Sequence, residues 1–217
     1  MAIGGNEDKR PHRSSILGTF IERAGGADAR IVIIPSASVE PVERAATYTR
    51  IFTELGAIDI RTVHAEVGVS HDEREAIRGA SGIFVTGGEQ ERLMEFLRAG
   101  DCIEAIREAV QRGAVYAGTS AGASAASATM IESSEDDYVV LSEGIGLIPH
   151  AIIDQHFGER QRLPRLEVAA KAHGLTGIGV DENTAIVWSG TGEVRVEGVG
   201  SVTIVDRTHH IHVLKAE

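Results

Sequence analysis

The chain contains one cysteine, Cys102, among 217 residues. That excludes an intrachain disulfide and a cysteine-rich metal site, and Cys102, at or just ahead of a helical pattern over 103–112, reads as a packing residue. Basic residues are also scarce: 21 Lys and Arg against 32 Asp and Glu give a formal net charge of -11. Nucleic-acid binding through a general basic surface is disfavoured, because phosphate neutralisation needs clustered cations. Cationic substrates are compatible with such a field, although net charge speaks mostly to solubility. No apolar run approaches the ~18 residues needed to cross a bilayer. Met1 to Asp8 has neither the positive segment nor the apolar stretch of a secretory signal. The expectation is a cytoplasmic protein that engages no membrane. No Pro-rich linker, low-complexity segment or internal repeat breaks the chain, so residues 1–217 are expected to form a single domain. Neither G-x-G-x-x-G nor G-x-x-x-x-G-K-[ST] occurs, which argues against a redox or nucleotide-binding protein.

What is present is an alternation of β-branched runs and helical patterns. Strands are expected over 30–34, 58–63 and 83–85, and helices over 42–55 and 72–80, the latter opened by Ser70-His71-Asp72-Glu73 in capping-box form. Such alternation specifies parallel strands joined by crossover helices, and the unbroken run Ile31-Val32-Ile33-Ile34 reads as buried on both faces. From 176 onward the pattern changes to closely spaced strands at 177–180, 184–188, 194–196, 201–205 and 211–214, with Ser189-Gly190-Thr191-Gly192 as a hairpin-type turn. The expected fold is α/β, with a mostly parallel central sheet flanked by helices and a C-terminal antiparallel strand addition. Only Met1-Ala2-Ile3 precede Gly4-Gly5, so the first strand is short.

The most informative local feature is Gly118-Thr119-Ser120-Ala121-Gly122, between the apolar run Val115-Tyr116-Ala117 and a small-residue stretch. A G-x-S-x-G turn from strand to helix leaves the serine hydroxyl projecting, which makes Ser120 a nucleophile candidate. The Ala121 N–H, at the start of the new helix, is a candidate oxyanion donor. The plainer reading is a small-residue turn that packs a helix closely on a sheet.

A serine becomes nucleophilic only with a base, oriented in turn by a carboxylate. Of nine histidines, His156 is the strongest candidate, because 151–154 reads as a strand and Gln155-His156-Phe157 falls at its carboxyl end. Asp181 and Glu182 stand at the end of another strand, and alternation would let only one face the site. The order Ser, His, acid conflicts with the Ser, acid, His order of α/β-hydrolases, which would call instead on Asp154 or Asp181 and then His209 or His210. His210 and His212 share a strand face, but two ligands without a third are a weak metal signal and read as surface residues. Gly87 and Gly88, after the strand at 83–85, are candidates for a second oxyanion amide. Gly4-Gly5 shows the same pairing without evident catalytic need.

With these pieces assembled, the chain resembles the cyanophycinases of serine peptidase family S51, which also contains the α-aspartyl dipeptidases. Five blocks carry the resemblance, in the family's order: Ile3 to Lys9, Phe84 to Gln90, Ala117 to Ala123, Ile153 to Phe157 continuing through Arg160, Arg162 and Arg165, and Gly179 to Ala185. The resemblance implies a fold like that of class I glutamine amidotransferases, with Ser120 as nucleophile, His156 as base and Glu182 as third member. It implies that Gln90, Asp154, Gln155, Arg160, Arg162 and Arg165 surround a β-aspartyl-arginine unit of cyanophycin, a poly-aspartate carrying arginine on its side-chain carboxyls. Guanidinium forks bind carboxylates bidentately, which agrees with a substrate wall at Arg160, Arg162 and Arg165.

The expected function is a serine exopeptidase that hydrolyses cyanophycin to β-aspartyl-arginine through an acyl-enzyme on Ser120. Ser120 attacks the isopeptide carbonyl, and Gly88 and Ala121 receive the oxyanion. No metal or organic cofactor is called for, the partners are cyanophycin or β-aspartyl-arginine peptides, and a homodimer is compatible with the sequence. Glu132-Ser133-Ser134-Glu135-Asp136-Asp137 is a hypothetical source of acids for the substrate guanidinium. The rivals are a peptidase for short aspartyl dipeptides and an amidotransferase-like scaffold that binds without turnover.

Overall fold

The computed structural model describes residues 1–10, 15–64, 68–135, 138–189 and 193–216. The chain divides into two compact units, Asp8–Ala117 and Met1–Glu7 with Gly118–Glu217. Strand β1 (Ala2–Ile3) belongs to the latter. Asp8–Ala117 is built from α1 (Ser15–Ala24), β2 (Arg30–Ile34), α2 (Pro41–Glu54), β3 (Asp59–Thr62), α3 (His71–Gly79), β4 (Gly82–Val85), α4 (Gln90–Ala99), α5 (Cys102–Gln111) and the start of β5 (Val115–Thr119). β2 pairs in parallel with β3 and β4, and β5 neighbours β4. Ile31 to Ile34 and all of β4 are buried, as continuous apolar strands in the middle of a parallel sheet must be.

The helix starts follow from local chemistry. Pro41 supplies a preset φ at the first position of α2. At α3 the capping box is closed in both directions: Glu73 N donates to Ser70 Oγ at 3.2 Å and Ser70 N to Glu73 Oε2 at 2.8 Å. α1 packs on β4, and α2 on β2 and β3. Between them Phe20, Tyr48, Phe52 and Phe84 form a fully buried cluster with ring centroids 4.5 to 5.8 Å apart. Cys102 is buried at the start of α5, and burial pushes its thiol up to about 11, which suits a packing residue.

The other unit continues through α6 (Ala121–Ala125), β6 (Thr129–Glu135), β7 (Tyr138–Glu143), β8 (Ala151–Gln155), α7 (Leu163–His173), β9 (Thr176–Val180), β10 (Thr184–Trp188), β11 (Val194–Gly198), β12 (Ser201–Val205) and β13 (Ile211–Lys215). β1 lies between the end of β5, in parallel, and β10, antiparallel; β11 then pairs with β10. A second sheet has β8 parallel to β9, with β12 and β13 added antiparallel beyond β9. The C-terminal strands therefore add to two sheets. At the switch, Asp181 Oδ2 accepts from Ser201 N at 2.9 Å and Ser201 Oγ at 2.6 Å, which ties the start of β12 to the end of β9. β6 and β7 form a two-stranded antiparallel ribbon. Residues 190–192 of the expected hairpin turn lie outside the described residues.

An aliphatic cluster of Ile131, Ile152, Leu166, Ala169, Ala170 and Val205 surrounds Phe157 and so anchors the end of β8. Among the described residues no helix is long and apolar enough to cross a membrane.

Candidate active site

Ser120 follows β5 and precedes α6 with φ 53° and ψ -113°, a conformation that costs a non-glycine residue strain energy. Gly118 permits the reversal, because a Cβ there would overlap the Gly122 carbonyl oxygen and lie 2.8 Å from Ala123 N. His156 leaves β8 with φ 49°, and Asn183, just after Glu182, has φ 48°. Three strand ends thus break their regular course at the residues the sequence singles out, or beside them.

The side chains meet in series. Ser120 Oγ lies 3.0 Å from His156 Nε2, and His156 Nδ1 lies 2.6 Å from Glu182 Oε1. The Glu182 carboxyl is held below the ordinary carboxylate range, first by a hydrogen bond from the Asn6 side chain and then by that from His156. An ionised Glu182 can only accept, so it places the imidazole proton on Nδ1 and leaves Nε2 to accept from the Ser120 hydroxyl. The His156 side chain is 10% exposed and that of Glu182 28%, so the imidazole is shielded while its carboxylate partner reaches water. Glu182 N is in turn held at 3.2 Å by both Glu159 carboxylate oxygens.

Of the two acids at the end of β9, Asp181 does something else. Its carboxylate takes Gly158 N at 2.9 Å as well as Ser201, and so ties three segments together.

Gln155 Oε1 is 3.4 Å from Ser120 Oγ. Behind it, Asp154 is buried, with its carboxylate between two arginines: Arg162 Nη1 donates to Oδ1 at 3.0 Å, and Arg165 donates through Nε to Oδ2 at 2.6 Å and through Nη2 to Oδ1. Arg162 also donates to the Gln155 carbonyl at 2.6 Å. Burial lowers the Arg162 guanidinium below its usual value, against the pull of Asp154. A buried carboxylate shared by two arginines is an inward-facing assembly that fixes the backbone of Gln155. Arg160 is exposed, and its charge contributes to holding Glu182 ionised.

Gly88 and Gln90 belong to the unit Asp8–Ala117. Gly88 is exposed after β4 with φ 147°, and Gln90, half-buried, opens α4. The next amide, Glu89 N, donates to the Ala37 carbonyl at 2.8 Å, which holds the turn. Ala121 is buried at the first position of α6. Asp136 and Asp137, with the side chain of Glu135, lie outside the described residues. His210 and His212 are exposed and bonded to Thr208 and Asp206 respectively. Among the described residues no group of three or more His, Cys, Asp or Glu side chains is placed to hold a metal ion.

Two residues escaped the sequence reading. Asn6 bonds Glu182, and Glu7, buried, accepts from Thr119 Oγ1 at 2.6 Å immediately before the nucleophile candidate. They belong to a strip whose carbonyls Ile3, Gly4 and Gly5 accept from Ser120 N at 2.9 Å, His156 N at 2.8 Å and Asn183 N at 2.8 Å. Gly4-Gly5 thus touches the site directly. The signal available in the sequence was the acidic and amide run Asn6-Glu7-Asp8 directly after a short strand.

A model of peptidase family S51 matches residues 1–196. The chain belongs to that family. It is a peptidase. A cyanophycinase of Trichormus variabilis is 44% identical over 98% of this chain and 74% of its own length, and one of Synechococcus elongatus is 41% identical over 98% and 71%. A probable alpha-aspartyl dipeptidase of Drosophila melanogaster is 33% identical over 63% of this chain and 58% of its own length. Among solved structures, a peptidase from an acI-B1 Actinobacterium superposes with a TM-score of 0.74 at 24% identity, covering 99% of this chain and 92% of that one, and so shares the α/β fold with its mostly parallel central sheet.

Proposed function

We propose that this S51 peptidase is a cyanophycin-degrading serine exopeptidase that releases β-aspartyl-arginine through an acyl-enzyme on Ser120. The observation that carries the reading is the hydrogen-bonded series Ser120–His156–Glu182, in a chain 44% identical to a cyanophycinase. His156 Nε2 takes the hydroxyl proton as Oγ bonds the scissile carbonyl carbon, and Glu182 steadies the resulting imidazolium. The oxyanion is received by the Ala121 N–H at the first position of α6. His156 then gives its proton to the leaving amine as the C–N bond breaks, and a water deprotonated by the same nitrogen hydrolyses the acyl-enzyme.

Product chemistry corrects which bond is broken. β-Aspartyl-arginine retains the isopeptide link, so its release requires attack at the main-chain aspartyl carbonyl; attack at the isopeptide carbonyl would free arginine instead. The exposed Arg160 suits a carboxylate of the substrate unit. Arg162, Arg165 and Asp154 act from behind, by fixing Gln155.

Purified cyanophycin incubated with the chain should yield β-aspartyl-arginine by mass spectrometry, and Ser120→Ala should slow release about 10⁴-fold or more while keeping its fold. Undiminished release by Ser120→Ala would overturn the mechanism. Cleavage confined to short α-aspartyl peptides would move the assignment to the dipeptidase branch.

A further inference from the structure

The strip that begins at the last residue of β1 touches every part of the series. Its three successive carbonyls each hold one backbone N–H: that of Ser120, that of His156 and that of the residue following Glu182. Gly5 has φ 100°, and a Cβ there would overlap His156 Cε1 and stand 2.6 Å from Nε2, the atom that bonds Ser120. The imidazole therefore rests on the bare Cα of Gly5. Asn6 has φ 48°, a left-handed conformation that asparagine tolerates better than most residues and that turns the chain toward Glu182.

We propose that Gly5 and Asn6 are positioning residues of the triad: Gly5 is the floor that sets the imidazole ring against Ser120, and Asn6 holds the Glu182 carboxylate on Nδ1. The assignment rests on Ser120, His156 and Glu182 being the reacting groups. It gives Gly5 and Asn6 a part in the chemistry through the groups they hold in place. Both catalytic hydrogen bonds are aligned from one short turn, so a small displacement there misplaces the base relative to the nucleophile and to its carboxylate at once.

The test measures the rate at which a serine-directed phosphonate labels Ser120, together with KM and kcat on cyanophycin. Gly5→Ala should label about 100-fold more slowly, the cost of displacing a catalytic group by roughly an ångström. Gly56→Ala is the control, since Gly56 shares φ 100° but has nothing within 4 Å of a new Cβ; it carries the backbone strain alone and should label at the parental rate. Asn6→Gly keeps the left-handed turn and deletes only the carboxamide. It should lower kcat roughly five- to tenfold with KM unchanged, and should cost nothing more when Glu182→Gln is already present.

Parental labelling of a folded Gly5→Ala, or full additivity of Asn6→Gly with Glu182→Gln, would overturn the proposal. If Gly5→Ala does not fold, the Asn6→Gly cycle decides alone. Failure of the parent chain to label at Ser120 would instead overturn the triad, and this inference with it.

Discussion

In Asp8–Ala117, four aromatic rings pack against one another in the core, and among the described non-glycine residues only Asp101 has a positive φ. In the unit formed by Met1–Glu7 and Gly118–Glu217 the clustered core is aliphatic around Phe157, and Asn6, Ser120, His156, Gln161, Asn183 and His209 all have positive φ. Ser120 and His156 belong to the hydrogen-bonded series, Asn6 bonds Glu182, and Asn183 directly follows it. Strained backbone persists only where its surroundings over-determine it. Here the surroundings are the Ile3–Gly5 carbonyls, the Asp181 bridge and the Asp154–arginine assembly, so polar ties do in this unit what ring packing does in the other.

Three measurements would sharpen or break that contrast. Phe52→Ala removes a fully buried ring from the aromatic cluster and should cost about 3–5 kcal/mol in denaturant unfolding, while folded molecules keep the parental rate of Ser120 labelling. A large change in that rate would mean that the aromatic core also tunes the site. Ser120→Gly relieves a positive φ and should raise stability by about 1 kcal/mol, seen as a rise of about 2–4 °C in melting temperature. A fall would show that the elbow is unstrained.

The smallest effect concerns acid. Glu182 is depressed in the folded chain, so its contribution is present above the unfolded carboxylate pKa of about 4.3 and is lost as pH falls through the lower folded value. The melting temperature of the parent should therefore lose ground relative to Glu182→Gln below about pH 4.3. A constant difference down to strong acid would show that the carboxylate is not depressed.

How much of this was readable in advance depends on how far apart the interacting residues are. The β2, β3 and β4 runs and the α3 capping box are local patterns, and they stand where the sequence puts them. So do Ser120, His156 and Glu182, because apolar runs announce the strand ends at which they sit. α1 and α4 carry apolar stripes at helical spacing. The arginine-rich start of α7 reads in the sequence as a binding segment, and its N-terminal signal is a single Pro164 at the second position. The second half of β6, from Glu132 to Glu135, opens an acidic run that reads as loop. Gly5 under His156 and Asn6 against Glu182 join residues from opposite ends of the chain, and no local pattern encodes such pairs. The arginine run shows the same limit: composition identified three cations, but only burial reveals that two of them face Asp154.

β1 is two residues long, yet it is held on one side by β5 and on the other by β10, which closes only at Trp188. Its strip cannot dock fully until β10 has been synthesised. Contacts of such high sequence separation form late, after the loop-closure entropy has been overcome. A growing chain on the ribosome would thus carry Ser120 long before the strip beneath the His156 imidazole is held on both sides.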